Sequence, residues 1–210
     1  MAKSLNVKTF LSKKYKTMAF EGNFKESFGE PCKQFSMMIY GSSGHGKTEL
    51  AMQLGKYLTK FGRVAYNSIE EGESFTLQKA LDRNNMELVS DKFQVIDGEN
   101  LEELTQRLKK QRSPDFIIID SVQYLRATKE EYFEFKKEFY PKKGIIYISH
   151  VENKDLDSVK GALAKSIWYD VDIQVPVKGF KAFPKKRLNG GGEVFIINHE
   201  RAAKYWANIK

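Results

Sequence analysis

The chain has 210 residues and a single cysteine, with 35 Lys plus Arg against 27 Asp plus Glu, a formal charge of +8. That length suits one domain able to bury a core without covalent staples, and one Cys excludes a disulfide framework or a multi-Cys zinc site and points to a reducing, cytoplasmic setting. No apolar run approaches the roughly 20 residues of a membrane span, residues 1–20 carry lysines but no apolar signal core, so no membrane partner is expected, and the excess charge suggests an anionic one.

Residues 1–34 read as a lead-in that mixes Lys, Phe, Gly and Glu without a period and leaves room for one short helix. Residues 35–210 read as one domain. The run 35–40 is a buried strand ending at Gly41. Leu50, Leu54, Tyr57, Leu58 and Phe61 then lie on one face of a helix over 47–61. A strand at 64–69, a helix at 74–83 and a strand at 92–96 follow. Leu101, Leu104 and Leu108 form a helical stripe with lysines at its C-terminal end, where the helix dipole favours them. The most apolar strand, 116–119, is closed by Asp120; Tyr132, Phe135 and Phe139 mark a helix stopped by Pro141; and 145–149 is a fifth strand. A helix over 158–167 precedes three strand-like runs at 171–177, 180–188 and 194–199.

Strands alternating with helices of about 10–15 residues indicate an α/β fold, a mainly parallel sheet between two helical layers. The late strands without helices indicate an antiparallel C-terminal extension at one sheet edge.

Gly41-Ser42-Ser43-Gly44-His45-Gly46-Lys47-Thr48 fits G-x-x-x-x-G-K-[ST] in full, a match expected by chance in only about 1% of chains this long. It lies between a strand and a helix, where glycines let backbone N–H groups wrap a phosphate and the helix N-terminus adds positive potential. Lys47 would reach the β- and γ-phosphates of ATP, and Thr48 would offer its hydroxyl to Mg²⁺. Asp120 ends a buried strand at the tip where parallel sheets place their ligands, so it can serve the same metal. Glu70 and Glu71 follow the second strand, which in many such folds adjoins the phosphate-loop strand; a carboxylate there could polarise the attacking water. Together with Glu73 they also fit the solvated start of a helix. Asn153-Lys154-Asp155 follows the fifth strand like a guanine-reading N-K-x-D motif, but Leu156 occupies the required acid position, which favours ATP over GTP.

In order and spacing these motifs resemble the RecA-type P-loop ATPase core, most of all the bacterial RadA (Sms) ATPases and the ATPase domain of DnaB-type hexameric helicases. The segment from Val64 to Glu71 is similar to their VLYVSGEES, Ile118 to Gln123 to VIDSIQ, and Ile148 to Val151 to VGHV. Asp170-Val171-Asp172 resembles the acid-x-acid opening their next strand, and Lys185-Lys186-Arg187 falls where RadA carries K-N-R-F-G, with Lys186 and Leu188 replacing Asn and Phe. Cys32 stands alone where RadA has a zinc motif. The resemblance implies a three-layer RecA-like fold in which Glu70 activates water, Asp120 supports Mg²⁺ and His150 senses the γ-phosphate. It implies that Lys185 and Arg187 reach the ATP of a neighbouring subunit in a ring or filament, a hexamer being favoured. The same three basic residues also read as a solvated turn.

In such rings the loops after the fourth and fifth strands, here 124–130 and 152–164, face nucleic acid. They carry Arg126, Lys129, Lys154 and Lys160, interrupted by Asp155 and Asp157. Lys13, Lys14 and Lys16 add a basic cluster beside Tyr15. The expectation is a stripped-down oligomeric ATPase acting on DNA, single-stranded by preference, in recombination, repair or replication, encoded by a phage or mobile element. The alternative is a nucleotide-dependent adaptor or switch that hydrolyses slowly and docks a protein partner.

Overall fold

The computed structural model describes residues 4–152, 158–186 and 190–208. Six runs form a parallel ladder: β1 (Ser36–Tyr40), β2 (Val64–Ser68), β3 (Phe93–Ile96), β4 (Phe116–Asp120), β5 (Gly144–Ser149) and β6 (Ile173–Lys178). They lie side by side in the order β6-β1-β5-β4-β2-β3. β1, β2 and β5 are buried at every position, as strands covered on both faces must be. Their side chains alternate between two cores. Met37, Ile39, Phe116 and Ile118 face one; Met38, Tyr40, Ile117 and Ile119 face the other.

The lead-in holds two short helices rather than one, α1 (Val7–Leu11) and α2 (Gly22–Phe28). Its later part joins the first core: Met18, Phe20 and Phe28 are all buried. Phe20 meets Tyr57 edge-on at 5.1 Å, and the Tyr57 hydroxyl accepts the Glu21 N–H at 2.7 Å. α3 (Lys47–Leu58) covers the same face through Leu50, Leu54 and Leu58, beside α4 (Phe75–Arg83), which Ser74 caps by accepting the Leu77 N–H. The second core lies under α5 (Leu101–Lys109), α6 (Lys129–Phe139) and α7 (Ala162–Asp170). Asn100–Glu103 and Thr128–Glu131 form capping boxes at the first two of these.

The antiparallel extension is present beside β6: β7 (Lys181–Ala182), β8 (Lys185–Lys186), β9 (Gly190–Gly191) and β10 (Phe195–Ile196). It is more broken than the sequence suggests. Phe180 sits in a turn at φ +59°, and the run 180–188 divides at Phe183-Pro184, since proline has no N–H for a ladder. α7 starts at Ala162 rather than 158, because Gly161 at φ +95° is not helical, and it runs on to Asp170. Asp170 therefore closes a helix instead of opening a strand. The last helix, α8 (His199–Ala207), was not foreseen. Asn198 caps it, accepting the Arg201 N–H at 2.9 Å, and Ala202 is buried against the first core.

Contrary to the sequence expectation, β2 does not adjoin β1: β5 and β4 stand between them. The carboxylates after β2 thus approach the phosphate loop across the β4 tip. No helix among the described residues is long and apolar enough to cross a membrane.

Candidate active site

The parallel strands all point their C-terminal tips to one end of the sheet, and the sequence motifs gather there. The loop leaves β1 at Gly41, where a Cβ would lie 2.3 Å from the Val177 carbonyl oxygen of β6; only glycine permits that approach. Gly46, at φ +102°, turns the chain into α3. Lys47 is buried, and its Nζ donates to the Ser42 carbonyl at 3.1 Å. Burial pushes its pKa down, opposed by the charges of Asp120 and Glu70. Ser43 and Gly44 are exposed at the loop's outer turn.

His45 ties the loop to its wall. Its Nδ1 accepts the Gly179 N–H at 2.9 Å, its carbonyl accepts the Phe180 N–H at 3.1 Å, and its ring meets Tyr205 of α8 edge-on. Burial, with the charges of Lys47 and Lys178, lowers its pKa, which suits a neutral ring using Nδ1 as an acceptor.

Asp120 stands at the tip of β4. Burial, reinforced by the Glu70 and Glu71 charges, pushes its carboxyl up to about 6, against the opposing effects of a Tyr66 hydrogen bond and Lys47. The Tyr66 hydroxyl, on β2, donates to Asp120 Oδ2, joining the tips of β2 and β4. Burial and the Asp120 charge push the phenol pKa up, opposed by the neighbouring Thr48 side chain.

Glu70 lies just past β2 within reach of both β4 and β5. Ser121 Oγ donates to its Oε2 at 2.8 Å, and His150 Nε2 lies 2.9 Å from the same oxygen. Burial raises the Glu70 pKa, but the His150 and Ser121 hydrogen bonds, with the His150 and Lys47 charges, outweigh it and hold the carboxyl low. Of the neighbours Ser149 and His150, the histidine faces this carboxylate. Ser149 is fully buried and accepts from Gln123 Nε2 at 2.9 Å. Gln123 also accepts the His150 N–H at 3.3 Å and donates to the Lys160 carbonyl at 2.8 Å.

Six sequence-selected residues therefore converge: Gly41, Lys47, Thr48, Glu70, Asp120 and His150. Lys185 does not join them. It is exposed on β8, in register with Gln174, which pairs with Met38 below the β1 tip. Arg187 and Leu188, and Lys154, Asp155 and Asp157 of the second loop, lie outside the described residues. Sequence reasoning gave no role to Tyr66, Ser121 or Gln123. For Tyr66 the available signal was a hydroxyl inside an apolar strand, since a buried Tyr needs a partner; Ser121 and Gln123 lie past the end of β4 and carried no such signal.

Among the described residues no group of three or more His, Cys, Asp or Glu side chains is arranged to hold a metal unaided. Mg²⁺ does not require one, since it takes one or two protein oxygens and completes its shell with phosphate and water. Thr48 and the half-buried Asp120 carboxylate fit that demand.

No protein-family model matches the chain. It is 29% identical over 149 residues to the chromosomal replication initiator protein DnaA of Deinococcus radiodurans, covering 67% of this chain and 28% of that protein. It is 26% identical over 116 residues to the protein of the same name from Campylobacter fetus subsp. fetus, covering 54% and 22%. The chain spans about a quarter of the length of these curated relatives. With the phosphate-loop signature and the mostly parallel α/β fold, this distant similarity supports the P-loop ATPase class.

Proposed function

We propose that the chain binds Mg²⁺–ATP and hydrolyses it as a RecA-type ATPase, working as a homo-oligomer on DNA. The observation that carries this reading is the meeting of Lys47, Asp120 and Glu70 at one end of the sheet, from three separate elements. Lys47 and the loop N–H groups hold phosphate oxygens, and Thr48 and Asp120 hold the Mg²⁺. When bound, the metal neutralises the developing phosphate charge. Glu70, kept ionised, accepts a proton from the attacking water. In this reading His150 orients that carboxylate and reports on the terminal phosphate.

Lys185 and Arg187 act in this reading on a neighbour's nucleotide. The position of Lys185 on an outer strand, away from the tips, supports a role in trans. DNA contact is assigned to the loops after β4 and β5, where Tyr124 is exposed and Arg126 and Lys160 border a cleft of about 440 Å³ with His150. The name of the two relatives, a chromosomal replication initiator, agrees with a role in DNA metabolism. The test is ATP hydrolysis with and without single-stranded DNA. Single-stranded DNA should stimulate the wild type, and Lys47→Ala should abolish turnover. Hydrolysis indifferent to any nucleic acid would end the DNA part of the reading.

A further inference from the structure

The phenol of Tyr66 is almost fully buried, in a strand where Val64 and Ala65 pack and the Asn67 and Ser68 side chains bond to nearby backbone. It could have been Phe, as far as the apolar surroundings are concerned. Its hydroxyl instead donates to a group from another element, Asp120 of β4, whose carboxyl feels the charge of Lys47 in the phosphate loop.

The hydrogen-bond inventory fixes the direction of that bond. An ionised carboxylate only accepts, so the Tyr66 proton goes to Asp120 Oδ2. A carboxylate offering one oxygen to a metal shell is best oriented when its other oxygen is held. Tyr66 holds that other oxygen.

We propose that Tyr66 is a positioning residue for the cation site: it holds Asp120 Oδ2 and so leaves Asp120 Oδ1 to serve Mg²⁺ beside Thr48. This deepens the proposed ATPase reading and rests on it. The phenol never touches nucleotide; it acts through the carboxylate it holds, as outer-shell partners of metal ligands do.

The test is equilibrium binding of a fluorescent ATP analogue to wild type and Tyr66→Phe, titrated with Mg²⁺ and repeated in excess chelator. In Tyr66→Phe the Mg²⁺ concentration for half-maximal effect should rise about 10- to 100-fold, the usual cost of losing an outer-shell partner. Affinity in chelator should stay within about twofold, since the phosphate loop is untouched. An unchanged Mg²⁺ dependence overturns the proposal. So does an equal loss with and without Mg²⁺, which marks a merely structural residue. A wild type that fails to bind the analogue at all overturns the ATPase reading and this proposal together. Should Tyr66→Phe not fold, difluorotyrosine at position 66 keeps the ring and hydroxyl but alters hydrogen-bond strength. It must shift the Mg²⁺ half-point at constant metal-free affinity, and no shift overturns the proposal.

Discussion

His150 Nε2 lies 2.9 Å from Glu70 Oε2, joining the ends of β5 and β2, although the residues are 80 apart in the chain. Because the Glu70 carboxyl is held low, it is ionised and can only accept. His150 therefore donates from Nε2. Ser121 donates to the same oxygen from the end of β4, so three strand tips fix one carboxylate. His150→Ala should leave ATP affinity nearly unchanged while kcat falls by on the order of 10²-fold, the cost of a misplaced reacting group. Steady-state kinetics beside nucleotide titrations would check this. A large loss of affinity with kcat intact would place His150 in binding instead.

Asp115 offers a prediction on pH. Its carboxylate accepts the Arg63 N–H at 2.9 Å and pairs with Lys33 at 3.0 Å. Burial raises its pKa, but the Arg63 and Lys33 hydrogen bonds and the Lys33 and Lys143 charges outweigh that and depress it. A carboxyl lowered on folding stabilises the native state above its unfolded value, about 3.9, and loses that contribution as pH falls through the folded one. Asp115→Asn should lower the urea midpoint near neutrality, and the gap to wild type should close as the pH falls through and below the unfolded value. A constant gap at all pH values would show that the charge is not involved.

Phe28 tests whether the lead-in belongs to the core. It is 1% exposed and sits 5.7 Å from Phe195, between the chain's beginning and its C-terminal strands. Phe28→Ala should cost about 3–5 kcal/mol in chemical denaturation. A cost below about 1 kcal/mol would mean that the lead-in contributes little to the folded unit.

The centre of the parallel sheet was legible because β1, β4 and β5 are buried on both faces and read as largely apolar runs, from Phe116 to Ile119 above all. The helical stripes of Leu101, Leu104 and Leu108, and of Tyr132, Phe135 and Phe139, were equally plain. The extension was not. β7 and β10 have two residues each, too few to show a period of two, and Phe180 takes a positive φ that β-rich composition hides. α8 buries only Ala202, so no apolar stripe announced it; Asn198 as a cap was the available sign. In the site, Lys47, Thr48 and Asp120 carry their chemistry in local motifs. The position of Glu70 depends on strand order, which spacing does not encode. Tyr66 passes in sequence for one more core aromatic until its hydroxyl is found on Asp120.

If DNA is held by phosphate contacts from Arg126, Lys129 and Lys160, binding must weaken steeply with salt. Each phosphate neutralised contributes a slope of about −0.7 in log K against log salt on single strands. Arg126→Ala should reduce that slope by about 0.7 for each subunit engaged, measured by fluorescence anisotropy at several salt concentrations. Binding that survives high salt would contradict a phosphate-directed interface.

The most direct test of the site is Glu70→Gln, assayed for ATP binding and for single-turnover hydrolysis beside the wild type. Gln keeps the shape and can still contact His150 and Ser121 but cannot take a proton. The expected result is ATP affinity close to wild type and hydrolysis slower by about 10²- to 10⁴-fold, the range for losing a general base. Hydrolysis by Glu70→Gln at the wild-type rate would contradict the assignment of Glu70 as the base that activates water.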